Sequence, residues 1–491
     1  MKPSSEEVKK TLKNYKTVPV FCEIISDTHT PVQIYNSLCS ESENSFILES
    51  VDNNEKWGRY SFIGIRPEMR LTVYGHSVTV SGSSGQTVSQ TDDPRLLISE
   101  YIEKYKAPCI SNAPAFTGGL VGYFGYDTVR FCENKLDSTP EDDLKMPDCD
   151  LFLYNELVAY DHLTSKIIVI QNVKAESELS VDQQLEMYRK RADEIFEKIL
   201  SSGPAPAMKP AKNETEVTSN LTKEEYIQNV IQAKEHIRNG DIFQIVLSQR
   251  FEIKNPPDSF SVYRMLRSTN PSPYLYYFSN PEYCIAGASP EMLVNVRGSV
   301  ITTKPIAGTI ARSDDEAQDL ILEQKLKNDT KEQSEHTMLV DLGRNDIGKV
   351  SEYGSVKVSK YMYTEKYSKV MHLVSDVEGR LRSDKNSTDA LMAVLPAGTL
   401  SGAPKIRAMQ LIDSFEKTKR GLYGGTIGYL GFDGNMDTCI AIRTVLFKNN
   451  SAYIQAGAGI TADSVPEKEY TETLNKAYAM INAVSNADMI K

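Results

Sequence analysis

GGLVGYFGYD at Gly118–Asp127 and GGTIGYLGFD at Gly424–Asp433 share the pattern GGx(V/I)GYxG(Y/F)D. Glycines at alternate positions of a strand leave one face bare, so another backbone or a ligand can approach closely. Read as neighbours in one sheet, the two segments tie the first half of the chain to the second. Read as two unrelated glycine-rich strands, they tie nothing. The first reading makes one assembly of what the rest of the sequence divides in two.

The division falls at Ser201–Asn220, SSGPAPAMKPAKNETEVTSN, which is rich in Pro, Ala, Ser and charge and has no apolar period. It sets an N-terminal domain over 1–200, a linker over 201–220 and a second domain over 221–491. Before the linker, Val18–Ile24 and Ser45–Ser50 read as strands, and Pro31–Ser40 as a short helix with Pro in its first turn. Leu151–Val173 reads as a hairpin around Asp161–Ser165. A capping box, Ser180 with Gln183, starts a long helix. A second box, Thr222 with Glu225, starts a helix that stops at Gly240, and the strand Asp241–Ile253 follows.

The 491 residues are 40% hydrophobic and 25% charged, the proportions of a globular protein. A net charge of −11 argues against a nucleic-acid or membrane-surface partner. No run of 18 apolar residues occurs, and MKPSSEEVKK has no signal-peptide core, so a cytoplasmic protein without a membrane span is expected. The seven cysteines are scattered without a CxxC, which fits a reducing compartment.

The chemistry-bearing residues lie after Gly240. QAGAGITADSVPEKEYTETLNKA (Gln455–Ala477) reads as a strand end, a glycine turn and a helix. The N–H groups around Gly457 and Gly459 suit an anion. The helix carries an apolar stripe of Tyr470, Leu474, Ala477, Tyr478 and Ile481, with Glu469, Glu472, Thr473 and Lys476 on the other side. That polar face is either a solvated Glu472–Lys476 pair or part of a site. Glu335 lies along the apolar stripe of Met338, Leu339 and Leu342, where a carboxylate needs a cation: a hard divalent metal or an arginine. Glu291 after Ser289-Pro290 is a candidate acid or a helix-start glutamate. Gly308-Thr309 offers donors to an oxyanion. His372 is a proton carrier or a satisfied core histidine. Thr399, Ser401 and Lys405 sit in a small-residue loop, and Arg443 lies in the apolar run CIAIRTVLF. Together they indicate a pocket for a small polyanion with a divalent metal.

PIAGT (Pro305–Thr309), EHTMLVDLGRNDIGKV (Glu335–Val350), PAGTLSGAPKIRAM (Pro396–Met409), RGLYGGTIGY (Arg420–Tyr429) and the Gln455–Ala477 stretch follow in order within Thr222–Ser485. They resemble the chorismate-utilising enzymes, and among them the anthranilate synthase component I family. FILES (Phe46–Ser50) and Gly118–Asp127 resemble that family's first domain. The resemblance implies an α+β fold of two packed, mostly antiparallel sheets with helices outside and the active site in the cleft. It implies conversion of chorismate and ammonia to anthranilate and pyruvate through 2-amino-2-deoxyisochorismate. Glu335 and Glu472 look like ligands of Mg2+. Gly308, Thr309, Tyr423, Arg443, Gly457, Ala458, Gly459 and Lys476 look like substrate contacts. Glu291 looks like the acid on the departing 4-hydroxyl, His372 like the histidine of the second step, and Thr399 like a further catalytic contact. Ser50, Pro273, Tyr274 and Leu275 match the motifs of a tryptophan inhibitor site, although the segment after Ser50, with Trp57, departs from several relatives.

Relatives that add water carry a lysine where this chain has Gln244, and aminodeoxychorismate synthases carry a lysine where it has Ala307. Amination at carbon 2 is therefore expected, with the folate-pathway activity or a non-catalytic chorismate- or tryptophan-binding regulator as alternatives. No amidotransferase signature occurs. The resemblance thus implies a separate glutamine amidotransferase subunit as partner, in a heterotetramer.

Overall fold

The strands Gly119–Phe124 and Thr426–Gly431 run antiparallel and side by side in the computed structural model, with Gly122 opposite Gly428. The residues described are 1–50, 58–83, 85–136, 138–203, 216–367 and 370–487. The bare faces are used for close backbone approach. A Cβ on Gly428 would stand 2.1 Å from the Asp437 carbonyl oxygen, and one on Gly122 would stand 2.0 Å from that of Asp150. Across the junction itself a Cβ on Gly119 would stand 2.1 Å from the Leu430 carbonyl oxygen, and this pairing joins the two halves of the chain in one sheet.

There are two antiparallel sheets of twelve strands each, and both draw on both halves. In the first, Ser45–Glu49 lies beside Tyr274–Ser279, so strands from before residue 200 continue into strands from after 240. In the second, the junction is the glycine pair. Phe46, Tyr276 and Ile170 interleave with Val121, Tyr154, Ile427 and Tyr429 between the sheets. Helices cover the outer faces: Val181–Leu200, Ser259–Thr269 and Pro466–Ser485 on the first, Thr330–Gly348 and Ser387–Val394 on the second. The α+β architecture expected above is the one observed. Both capping boxes form, at Ser180 with Gln183 and at Thr222 with Glu225. Among the described residues no helix is long and apolar enough to cross a membrane.

Among the described residues the chain changes sheet across a short connection at four points, the first between Tyr60–Ile65 and Met69–Tyr74. Cys149–Tyr154 belongs to the second sheet, and Glu156–Asp161 to the first. The hairpin expected over Leu151–Val173 therefore forms only from Glu156 onward; a run buried on both faces carries no periodic mark where it changes sheet. Cys284–Ser289 gives way to Met292–Arg297 across Pro290-Glu291, and Met436–Ile440 to Thr444–Lys448 across Ala441-Ile442-Arg443. Arg443 is thus on a crossover, at φ 52°, and not on a strand.

Three further expectations are corrected. Gly457–Gly459 lies inside the strand Ser451–Ile460, not in a turn. On the helix Pro466–Ser485 the buried stripe is Thr473, Ala477, Met480, Ala483 and Val484, while Leu474 and Tyr478 face outward. Packing against Ser451–Ile460 turns the helix by its small residues, which a count of large apolar positions misses. Within the expected linker, Val217–Ser219 pairs with Phe251–Ile253 as an edge strand; residues 204–215 of it, and Trp57, lie outside the described residues.

Gly428→Ala should lower unfolding stability by about 3 kcal/mol, because its methyl meets backbone that cannot move aside. A urea midpoint unchanged from the parent would show that the paired strands are not in close backbone contact.

Candidate active site

Two of the crossovers are hydrogen-bonded to each other. Ile440 N–H donates to the Glu291 carbonyl at 2.9 Å, and Ala288 N–H donates to the Arg443 carbonyl at 3.1 Å. The side chains of an acid and a guanidinium are so presented from adjacent backbone. Thr399 Oγ1 donates to Glu291 Oε1 at 3.0 Å. Burial pushes the Glu291 carboxyl up to about 7, against the smaller opposing effects of the Thr399 hydroxyl and the Lys476 charge. It is a carboxyl held protonated near neutrality. Lys405, in contrast, is taken up by Asp346 at 2.6 Å, and Ser401 Oγ donates to the Ala397 carbonyl, so of that loop only Thr399 serves the cleft.

Arg443 Nη1 donates to the Lys476 carbonyl. Burial lowers the Arg443 pKa, with Tyr423 and Glu472 opposing. Lys476 Nζ pairs with Glu472 at 2.6 Å and donates to the Gly457 carbonyl at 3.1 Å. The second contact orients the nest. In a β-strand the N–H and C=O of one residue point to the same side. Ser248, opposite Gly457, gives its N–H to Glu416 instead of the ladder. The N–H groups of Gly457 and Gly459 therefore face the open edge where Lys476 stands. Ala458 between them turns its N–H toward Leu247 in the ladder and its methyl into the core. Tyr423 closes the back: a Cβ on Gly457 would lie 2.9 Å from its hydroxyl.

His372 sits across the cleft on the strand Val370–Arg380, between Thr309 and Glu365 on its two neighbours. Its Nδ1 contacts the Gly308 carbonyl at 3.1 Å and Thr309 Oγ1 at 3.0 Å. A carbonyl only accepts, so Nδ1 carries the proton and Nε2 is the basic nitrogen. Burial lowers the pKa of His372, which favours the neutral ring. Gly308 has φ +67° at a bulge in the pairing, and a Cβ there would stand 3.0 Å from Glu332 Oε2.

Glu332 joins an acidic group. Burial raises its pKa, then the charges of Glu335 and Asp329, with Lys331 opposing and Glu472 raising it further. Glu469 is raised by burial and, less, by Glu472. Glu332 was missed by sequence reasoning, although it lies three residues before Glu335, one helical turn away. Among the described residues no three His, Cys, Asp or Glu side chains stand close enough to hold a metal ion as they are. Clustered hard carboxylates are nonetheless the donor chemistry of a Mg2+ site.

Ser50, Pro273, Tyr274 and Leu275 are brought together elsewhere, in the wall of a cavity of about 100 Å³ between the sheets. Glu49, within FILES, and Arg297, Lys304, Tyr367 and Asp437 add polar groups to its lining.

A family model described as chorismate binding enzyme matches residues 43–482. The chain belongs to the chorismate-binding enzymes. It is 46% identical to anthranilate synthase component 1 of Acetivibrio thermocellus over 100% of its own length and 99% of the relative's. It is 43% identical to that of Aquifex aeolicus, over 99% and 98%. The crystal structure of anthranilate synthase component I from Streptococcus pneumoniae superposes with a TM-score of 0.78 at 40% identity, covering 93% of this chain and 99% of that one. The menaquinone-specific isochorismate synthase of Escherichia coli, at 19% identity and a TM-score of 0.70 over 98% of both chains, shares the fold of this family.

Glu291, expected from the sequence to be the acid, can donate a proton only below its pKa. At constant neutral ammonia, kcat/KM for chorismate should be flat below about pH 7 and fall tenfold per pH unit above it. Thr399→Val removes a donor that favours the charged form, so the fall should move to higher pH. A fall that stays in place would separate Glu291 from the pH profile.

Proposed function

We propose that this chain is the large subunit of an anthranilate synthase, converting chorismate and ammonia to anthranilate and pyruvate. The observation that carries the reading is the pairing of a carboxyl held protonated to about pH 7 with a histidine held neutral in one cleft. A reaction that expels hydroxide and later removes a ring proton requires both.

Arg443 and the Gly457–Gly459 edge grip the substrate carboxylates. Ammonia bonds to ring carbon 2 while the carbon 4–oxygen bond breaks, and Glu291 gives its proton to the departing hydroxyl, which leaves as water; the ammonium formed at carbon 2 then loses a proton, and the Glu291 carboxylate takes one up again. His372 Nε2 then takes the proton from carbon 2. The carbon 3–oxygen bond breaks, the ring becomes aromatic, and the enolpyruvate takes up a proton to leave as pyruvate. Glu335 and Glu472 would hold Mg2+, with Glu332 and Glu469 behind them; bound there, the ion supplies positive charge to the ring carboxylate and relieves the mutual repulsion of the glutamates. Ala307 supports amination at carbon 2, since the strand Ile306–Ala311 offers at that position no lysine amine to add to the ring, of the kind found in the relatives that aminate at carbon 4.

Ammonia is delivered by a separate glutamine amidotransferase subunit, and alone the chain uses free ammonium. Tryptophan acts as feedback inhibitor in the cavity of Ser50, Pro273, Tyr274 and Leu275, whose mixed aromatic and charged lining suits an aromatic amino acid.

Purified protein given chorismate, ammonium and magnesium should release fluorescent anthranilate with an equal amount of pyruvate; a 4-amino product that keeps its pyruvyl group would overturn the reading. Glu472→Ala should lower this turnover at least about 100-fold with the circular dichroism spectrum intact, and chelation of the metal should do the same to the parent. Retained activity would remove Glu472 from the metal site. Ser50→Phe should fill the cavity and relieve tryptophan inhibition; inhibition at the parental concentration would place tryptophan elsewhere.

A further inference from the structure

The cavity at Ser50 and the catalytic cleft share a wall. Tyr367, just after the strand Lys357–Lys366, lines the cavity. The same ring meets the His372 imidazole edge to face, with centroids 5.6 Å apart and planes at 66°. Its hydroxyl donates to Glu365 Oε2 at 2.9 Å. Glu365 lies across the ladder from His372, and its other oxygen holds the Lys304 ammonium. Lys304 also lines the cavity. The backbone of Tyr367 is fixed at both ends of its peptide units: its N–H donates to the Val370 carbonyl at 2.8 Å, and its carbonyl accepts from Arg312 Nη1 at 2.9 Å.

The contacts of His372 with Gly308 and Thr309 both fall on Nδ1. Two contacts at one nitrogen leave the ring able to pivot about it, and the pivot swings Nε2. An edge contact on the ring body removes that freedom, and Tyr367 makes it.

We propose that Tyr367 is a positioning residue for His372, and that the Lys304–Glu365–Tyr367 chain carries the state of the cavity to that imidazole. This rests on the reaction proposed above, in which His372 serves the second step. An occupant that moves Tyr367 or draws Lys304 away from Glu365 tilts Nε2 from the ring proton it must reach, where a displacement of about 1 Å costs on the order of 100-fold. Amination, which depends on Glu291, is spared.

The test follows chorismate, the aminated intermediate and anthranilate separately in the full chain with ammonium and magnesium. Tyr367→Leu should lower the ratio of anthranilate formed to chorismate consumed at least about fivefold, with the intermediate accumulating, and Tyr367→Phe, which keeps the ring, by less. Both variants and Lys304→Met should raise the tryptophan concentration for half-inhibition several-fold. A proportional fall of both steps without intermediate would reduce Tyr367 to a structural residue. An unmoved half-inhibition in all three variants would cut the cavity from the cleft. If Tyr367→Leu does not fold, Tyr367→Phe carries the same readouts. Failure of the unmodified protein to consume chorismate would strike the proposed reaction; parental turnover with an unmoved ratio in the Tyr367 variants strikes only this inference.

Discussion

Two hydrogen bonds between crossing strands hold the site together: Ile440 to Glu291 and Ala288 to Arg443. At each crossing a strand leaves one sheet and enters the other, and at that point its backbone lies in neither ladder. Unpaired peptide groups between packed sheets are costly, so the two crossings pair with each other. Residues placed there escape the alternation of a strand and point into the gap between elements. Glu291 and Arg443 are in the cleft because they lie in the short crossings, 290–291 and 441–443, that neither sheet claims. The positive φ of Arg443 is the local cost of that exit from the sheet.

Desolvation then does opposite things to two groups in one space. It favours the neutral form of each, which for Glu291 means protonated and for His372 means unprotonated. A single physical cause makes an acid and a base at the same pH. The remaining charges hold this state within limits. Lys476 lowers Glu291 slightly, Arg443 helps keep His372 neutral, and Glu472 offsets the burial of Arg443. The exposed-looking ion pair of Glu472 with Lys476 is real. It is also part of the cleft, because Lys476 reaches on to Gly457, and Glu472 presses on Glu332.

What was legible in the sequence depended on whether a feature is periodic. The capping boxes, the helix Pro31–Leu38 and the strands near residues 20 and 47 follow local rules and appear where those rules put them. The glycine echo was legible because close backbone approach demands glycine at alternate positions on both partners. The crossings were not legible. Cys149–Asp161 and Met436–Lys448 are apolar before and after the change of sheet, and nothing in an apolar run says which sheet it faces. Motif resemblance located Glu291 and Arg443 without explaining them. The outward face of Leu474 and Tyr478 misled for a related reason: large apolar residues dominate a helical wheel, whereas the contact with the strand Ser451–Ile460 is made by Thr473 and Ala477.

The same crossings bring the cavity and the cleft within reach of each other. Pro290 and Met292 line the cavity on either side of Glu291, and Ile306 lines it two residues before Gly308. The cavity is therefore bounded by the backbone that carries the acid and by the strand that anchors the histidine. A ligand there need not send a signal through a long path, since it touches the supports of both groups directly. The two supports differ in stiffness. Glu291 is held by the paired crossings and by Thr399, whereas the His372 ring is held at one nitrogen and by Tyr367. A disturbance applied to both walls is absorbed by the softer one, so the histidine is where occupancy of the cavity is felt first.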